Sequence, residues 1–492
     1  MTRLSGQDAS FLYSETPTVL MHTLKIQIFD SPYAQADYTF LRGWLESALD
    51  AVPMLRKRVV FVPWHLHHPV LVDDPDFDLE SHIYRAALPA PGGRAELDQM
   101  ISQIMCHRLD RQRPLWELWA ISGLAGGKVA IVHKIHHCLA DGAATVRYLS
   151  KVFERHAKYD RNEVRPSTWS PEPLPSARRL VWEALRDHLV RDIRNLPAFL
   201  TGLWRATLGV LKLNRSVGSP TVDTLAHPPP RTRLNHALSA RRSFTTRQVP
   251  LDQVRAIGKT LGGTVNDVVL AITAGALREY LLAIGDLPGE PLTVSVPVSA
   301  DEPGVARESG NRTTYFSTRL WTNLADPLER FYAIRRSTDV GKQELDVIGR
   351  SIFVELMQYL PPAFSIWKAH HKQRLRLADQ ADYHPMTNLI VSNVPGPREQ
   401  VSGNYGVLED IYSMGPLVEG CGLNITAWSY AGNLNVSMMG CKRAVPDIDR
   451  LAQFWIQSMK ELDGLTQQSS EQPVNEQSVE DRGADNGQAG SA

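Results

Sequence analysis

From residue 21 the chain alternates apolar and polar side chains in "MHTLKIQIFD" (21–30), the pattern of a half-buried strand. A helical pattern follows in "FLRGWLESALD", then "MLRKRVVFVP". "VLVDDPDFDLESHIYRAALPAPG" is strand-like and then turn-rich. In "RAELDQMISQIMCHRLD" the apolar residues Leu97, Ile101, Ile104 and Met105 return at helical spacing. "PLWELWAISGL" and "KVAIVHKIHH" read as two strands joined by an "AGG" turn, and after "CLADG" a helix runs through "TVRYLSKVFERH".

Residues 160–180 are rich in proline and polar side chains, as is 216–235, and both compositions mark linkers. Between them the chain is broadly helical, with a break expected near Pro197. From Arg178 to Arg215 it holds eight basic residues against three acidic ones. Those charges are not confined to one face. That favours a helix packed across two domains over an interfacial helix anchored by Trp182, Phe199 and Trp204. Strands and helices alternate again from Arg241. "LDQVRAIGKTL" is helical and stops at Gly262-Gly263. Thr264 then opens a longer helix with Val265, Val268, Val269 and Ile272 on one stripe. "LTVSVPVS", "TTYFSTRLW", "TNLIVSNVPGP" and "ITAWSYAGNLNVSMMG" supply further strands, and "DIDRLAQFWIQSMKELDGL" a last helix. The expected organisation is an α/β (α+β) lobe over 1–160, a connector with an amphipathic helical segment over 161–238, a second lobe over 239–465, and a disordered tail over 466–492.

Composition narrows this little. A hydrophobic content of 43% is ample for sizeable cores, and 53 basic against 53 acidic residues gives no support for a nucleic-acid partner. The four cysteines are scattered without a C-x-x-C pair, which suits a reducing compartment. The N-terminus shows no apolar signal-peptide core, and no run of about 18 apolar residues predicts a membrane-spanning helix.

The candidate chemistry lies in "HKIHHCLADG" (133–142). Strand alternation puts His133 and His137 on one face and His136 on the other. His133 and His137 are four steps apart, roughly 13 Å at about 3.3 Å per residue, which disfavours a shared metal. Cys138 follows His137 directly, a poor geometry for a thiol–imidazole pair, and it reads as a small buried residue. No G-x-S-x-G is present. A histidine base at the strand end remains, with Asp141 holding the turn and Gly142 permitting it. From spacing alone a satisfied strand-end histidine and a helix-capping aspartate explain the stretch as well. His133 is assigned to packing.

"HHCLADG" resembles the HHxxxDG signature shared by coenzyme-A-dependent acyltransferases and peptide-synthetase condensation domains. "LSGQDASFL" (4–12) with "MHT" (21–23), "RPLWELW" (113–119), "TVNDVVLA" (264–271) and "LIVSNVPGP" (389–397) occur in the order that resembles the bacterial wax ester synthase/diacylglycerol acyltransferase family. The resemblance covers about residues 4–460. It implies two chloramphenicol-acetyltransferase-like lobes with a tunnel between them, joined by the long helical connector. The implied activity joins an acyl-CoA to a lipid hydroxyl, making triacylglycerol from diacylglycerol or wax ester from a long-chain alcohol. No cofactor is expected, acyl-CoA being a substrate.

By the same resemblance His137 is the implied general base, His136 a supporting residue and Asp141 a structural support of the loop. Pro114, Leu115, Trp116 and Gly142 are expected to shape the site. Asn266 and Asp267 are expected to line it, although Thr264-x-x-Asp267 is also a helix-capping pattern. The sequence departs from the family at Ala300-Asp301, while keeping Gly310-Asn311, and at Cys441-Lys442. The implied location is cytosolic, reaching the inner membrane face or lipid droplets. A condensation-type transferase acting on carrier-bound substrates, or a weakly active lipid-associated homologue, is the alternative.

Overall fold

The computed structural model describes residues 1–30, 38–139, 151, 169–219, 223, 226–301, 310–403 and 406–471. In chain order, the first half gives β1 (Thr2–Arg3), α1 (Gly6–Ser14), β2 (His22–Asp30), α2 (Tyr38–Leu49), β3 (Lys57–Val60), β4 (Val70–Asp73), β5 (Ile83–Ala87), α3 (Arg94–Ile104), β6 (Trp116–Ser122) and β7 (Val129–His136). The connector gives α4 (Ala177–Asp187) and α5 (Ile193–Ser216). The second half gives β8 (Arg242–Pro250), α6 (Leu251–Thr260), α7 (Val265–Ala283), β9 (Thr293–Ser299), β10 (Thr313–Arg319), α8 (Pro327–Ile348), α9 (Ile352–Tyr359) and α10 (Pro362–Arg374). It closes with β11 (Leu389–Pro395), β12 (Ser402–Gly403), β13 (Gly406–Met414), β14 (Leu423–Tyr430), β15 (Asn433–Cys441) and α11 (Ile448–Glu471).

Two six-stranded sheets organise the mixed α/β fold, in the orders β12-β13-β2-β7-β6-β5 and β10-β9-β11-β14-β15-β8. β2 and β7 run antiparallel at the centre of the first, with His22 opposite His136. β2 was expected to be half-buried, but both of its faces are covered, and only Asp30 at its end is exposed. Leu24, Ile26 and Ile28 pack into one core cluster and Phe29, on the other face, into a second. The two lysines on these strands are paired: Lys134 Nζ donates to the His107 carbonyl at 2.8 Å and to Glu117 at 3.2 Å, and Lys25 Nζ donates to Ser413.

Four further expectations change. The stretch 54–63 is a 3-10 turn and the short β3 rather than more helix. The lobes do not divide at 160 and 239, because β12 and β13 of the second half complete the first sheet, β13 pairing with β2. The connector helix runs through Pro197. Its irregularity lies upstream, in a π turn at His188–Asp192. That turn is held by His188, which contacts Asp192 at 2.8 Å and donates from Nε2 to the Leu66 carbonyl at 2.9 Å. Finally, α11 extends to Glu471 with Thr466 buried, so helix covers the start of the segment expected to be disordered. The helix expected at "TVRYLSKVFERH" falls almost wholly outside the described residues.

Candidate active site

β7 ends at His136, and the chain turns through 137–139. His137 is half-buried, and its N–H donates to the Met21 carbonyl at 2.8 Å. The Phe11 ring stacks on its imidazole, with centroids 4.1 Å apart and planes 16° apart. Its Nδ1 lies 3.0 Å from Asn311 Oδ1. The Asn311 amide has one orientation open to it. Nδ2 donates to Asp8 Oδ1 at 2.6 Å and to the His137 carbonyl at 2.7 Å, and a carbonyl can only accept. Oδ1 therefore faces the ring and Nδ1 carries the proton, which in the neutral imidazole leaves the lone pair on Nε2.

Asp8 anchors this chain of contacts. It lies in the first turn of α1, capped by Ser5, whose hydroxyl donates to Asp8 Oδ2 at 2.6 Å. Oδ1 also accepts the Asn311 backbone N–H at 2.7 Å. Burial raises the Asp8 pKa, although each of these donors works to lower it. Gly310 brings the second half close enough. Its φ of +79° suits glycine, and a Cβ there would sit 3.1 Å from the Asp8 carboxylate. Its N–H donates to the Leu139 carbonyl at 3.1 Å.

His136 points the other way and is buried. Its Nδ1 accepts the Cys138 N–H at 3.1 Å, so Nε2 holds the proton and donates to Glu15 at 2.8 Å. Burial lowers the His136 pKa. Burial by itself would raise the Glu15 carboxyl, but the hydrogen bond from His136 and the guanidinium groups of Arg111 and Arg108 hold it below the usual carboxylate range. The second histidine is thus a clamp that fixes the backbone on which His137 is mounted. Cys138 is fully buried, its thiol pKa pushed well up by desolvation, and His133 is buried and held to about 4. Asp141 and Gly142 lie outside the described residues.

The face of α1 opposite Asp8, Phe11 and Glu15 lines a cavity of about 420 Å³. Gly6, Ser10 and Tyr13 form that wall. Met21 belongs to the lining as well, while its carbonyl holds the His137 N–H. Met357, Phe364 and Lys368 close the cavity from the second half.

Comparison with known proteins decides the family. The wax ester synthase/diacylglycerol acyltransferase catalytic domain matches residues 4–269, and the C-terminal domain of the same family matches residues 309–463. The chain belongs to the wax ester synthase/diacylglycerol acyltransferase family. A Mycobacterium tuberculosis protein provisionally named a diacylglycerol O-acyltransferase is 38% identical over 449 residues, covering 91% of this chain and 92% of that one. A second such protein of that organism is 34% identical over 456 residues, covering 90% and 93%. The solved wax ester synthase/diacylglycerol acyltransferase of Marinobacter aquaeolei superposes with a TM-score of 0.65 at 26% identity, covering 95% of this chain and all of that one. The first condensation domain of the CDA synthetase shares the fold at a TM-score of 0.56 and 13% identity. The chain is an acyltransferase of this family, and the condensation-type alternative is not favoured.

The motifs of this acyltransferase can now be placed. Leu115 accepts the His136 N–H at 3.0 Å, and Pro114 is buried beside it. Trp116 donates from its indole to the Leu55 carbonyl at 2.8 Å and stacks on His82. The Pro-Leu-Trp motif therefore braces the strand beneath His136. Asp267 receives the Thr264 N–H at 2.8 Å and its hydroxyl at 2.7 Å, completing a capping box at the start of α7. Asn266 is half-buried on the first turn of that helix, and no hydrogen bond joins either residue to His137 among the described residues. Phe11 and Asn311 meet His137 directly and Asp8 acts through Asn311; the sequence showed them only inside the LSGQDASFL stretch and the retained Gly310-Asn311 pair, without a role. Ser5-x-x-Asp8 carries a capping signature that marks the helix start.

One further group has metal-ligating side chains. His67, His188 and Asp192 bring ligand atoms within 4.8 Å of one another. His67 Nδ1 already accepts the His68 N–H at 2.7 Å, and His188 Nε2 donates to Leu66. His67 Nε2 and His188 Nδ1 both face the Asp192 carboxylate, at 3.6 and 2.8 Å, and join the π turn to the 62–68 turn.

Proposed function

We propose that this acyltransferase transfers the acyl group of an acyl-CoA to the free hydroxyl of diacylglycerol, giving triacylglycerol, and that a long-chain alcohol can serve as acceptor to give a wax ester. His137 is the general base. The observation that carries this reading is the protonation pattern fixed by Asn311, which leaves the lone pair on Nε2. Nε2 takes the hydroxyl proton as the oxygen attacks the thioester carbonyl. The tetrahedral adduct then collapses, the C–S bond breaks, and the coenzyme A thiolate takes the proton back from the imidazolium. No acyl-enzyme forms and no cofactor is called for. General-base assistance of this kind is worth about 10²–10⁴-fold. Positioning supplies more.

His136 and Glu15 keep the base loop in place, and Pro114, Leu115 and Trp116 shape the strand beneath it. Asp141 and Gly142 are assigned the supporting and site-shaping roles that the family motif implies. Asn266 and Asp267 are assigned to the wall of the site through α7, with Asp267 acting by capping. The apolar substrates support a location in the cytosol at the inner membrane face or at lipid droplets.

The test is purified protein with a long-chain acyl-CoA, offered diacylglycerol or hexadecanol, beside His137→Ala. The wild type should form ester and free coenzyme A, and the variant should lose about 10²–10⁴-fold in kcat. Equal product from both proteins removes the general-base assignment. No product from either acceptor removes the substrate assignment.

A further inference from the structure

Helix α5 carries two apolar stripes. Phe199, Ala206 and Val210 are buried, and Phe199 packs on the Tyr359 ring of α9 at 4.7 Å. Gly209 lets the helix approach α8, since a Cβ there would lie 2.4 Å from Val347. To this extent the connector packs across the fold as its scattered charges suggested. The outer stripe is also apolar. Ile193, Leu196, Leu200, Trp204, Leu208 and Leu211 are each at least 38% exposed, Trp204 reaching 65%. At about 100° per residue they span an arc of about 120°. Arg194, Arg205 and Lys212 lie together along one edge of that arc. An apolar band with a basic margin is the build of a helix lying in a membrane interface.

The stripe does not end with α5. Trp182 of α4 and Leu189 of the π turn are exposed too. Both α4 and α10 abut the turn Pro63–His65, whose Trp64 is 79% exposed. On α10, Trp367 stacks with Phe364 at 5.9 Å and with His371 at 4.9 Å, and it too is exposed. Phe364 and Met386 are 50% and 85% exposed, yet both line the cavity against α1. The mouth of the cavity therefore opens beside the exposed aromatic side chains, with the exposed Lys368 at its rim. No single helix among the described residues is long and apolar enough to cross a membrane.

We propose that the face formed by α4, α5, the 63–65 turn and α10 docks on an anionic phospholipid surface, and that diacylglycerol passes from that surface into the cavity through the mouth at Phe364 and Met386. The docking stands on the surface itself. The passage of diacylglycerol rests on the acyltransferase reading given above. A lipid surface suits this face better than a second copy of the chain. Its basic margin matches anionic headgroups. A protein partner seated on the aromatic side chains would also cover the mouth of the cavity.

The experiment is flotation of the full chain with vesicles of phosphatidylcholine, with and without phosphatidylglycerol, beside turnover measured with a water-soluble short-chain alcohol and with vesicle-borne diacylglycerol. The wild type should float with the anionic vesicles and be released by salt. Leu200→Glu/Trp204→Glu should lower the bound fraction about tenfold and slow turnover of vesicle-borne diacylglycerol, while turnover of the soluble alcohol is kept. Arg194→Glu/Arg205→Glu retains the apolar stripe and should lose only the preference for phosphatidylglycerol. It therefore distinguishes a docking defect from a folding defect. His137→Ala should float like the wild type while its kcat falls about 10²–10⁴-fold, so failure of the catalytic reading and failure of docking are seen separately. A wild type that stays unbound with both vesicles, or a Leu200→Glu/Trp204→Glu protein that binds as the wild type does, overturns the proposal. A dimeric wild type that binds no vesicle and becomes monomeric in that variant overturns it too, assigning the face to a second copy.

Discussion

Replacing Asn311 by alanine removes one acceptor and two donors at once. The His137 Nδ1–H loses Oδ1 at 3.0 Å, and Asp8 and the His137 carbonyl lose Nδ2 at 2.6 and 2.7 Å. In the neutral ring this bond is worth about 0.5–1.5 kcal/mol, and from the imidazolium about 1.5–3 kcal/mol, so the transition state loses the difference of about 1–1.5 kcal/mol. That converts to a loss of about 5- to 13-fold in kcat. The tautomer with its proton on Nε2, which cannot act as base, also becomes accessible. KM for acyl-CoA should stay within about twofold, because the contact strengthens on the way to the transition state rather than on binding. Asp8 keeps the Asn311 backbone N–H and the Ser5 hydroxyl, so the stability cost is the Nδ2 contacts alone, about 1–3 kcal/mol. Steady-state kinetics with long-chain acyl-CoA and diacylglycerol give kcat and KM separately. Histidine ¹⁵N NMR shows which ring nitrogen of His137 bears the proton, a readout that a purely structural defect leaves alone. A folded Asn311→Ala protein with kcat within about twofold of the wild type refutes the reasoning. So does a wild-type His137 protonated on Nε2.

Two further outcomes follow from the same contacts. Asp267→Ala breaks the capping box of α7 and should cost about 1 kcal/mol in urea unfolding, with kcat close to the wild type; a large fall in kcat at unchanged stability would instead give Asp267 a direct contact with substrate. Burial holds His68 and His133 neutral, each at about 4 against an ordinary 6.5. Because the folded values are lowered, the unfolded chain takes up protons first as pH falls through 6.5, and each histidine should cost about 2 kcal/mol of stability at pH 5 relative to pH 8. Urea midpoints at the two pH values check this, and a midpoint no lower at pH 5 contradicts it.

Much of the fold was readable because local patterns dominate it. The hairpin of β6 and β7, the stop at Gly262-Gly263 and the stripe of α7 follow from side-chain periodicity and turn chemistry within about 20 residues. The place of β13 was not readable in this way. Its residues alternate like any strand, and nothing local says that Ile411 pairs with Gln27 rather than with a neighbour in the second half. Pro197 misled for a related reason. Proline removes one donor, but the connector absorbs its irregularity a turn earlier, where His188 finds partners on a segment more than 100 residues away.

The site divides along the same line. Alternation separated His137 from His136 correctly, and it is the second histidine's tie to Glu15 that explains why the pair is doubled. The partner that orients the base is Asn311, 174 residues away, and Asn311 is oriented in turn by Asp8, 303 residues away. No local signal links these three. The capping signature at Ser5 and Asp8 accounts for the aspartate completely in local terms, and so hides its second task. A base built in this way depends on both halves of the chain. Residues 4–139 supply the imidazole, its carbonyl anchor on Met21 and the carboxylate, while the amide that fixes the tautomer arrives on the strand entering β10. β13 completes the sheet of the first half, and Gly310 and Asn311 reach its base, so correct docking of the halves is itself a condition for a lone pair on Nε2.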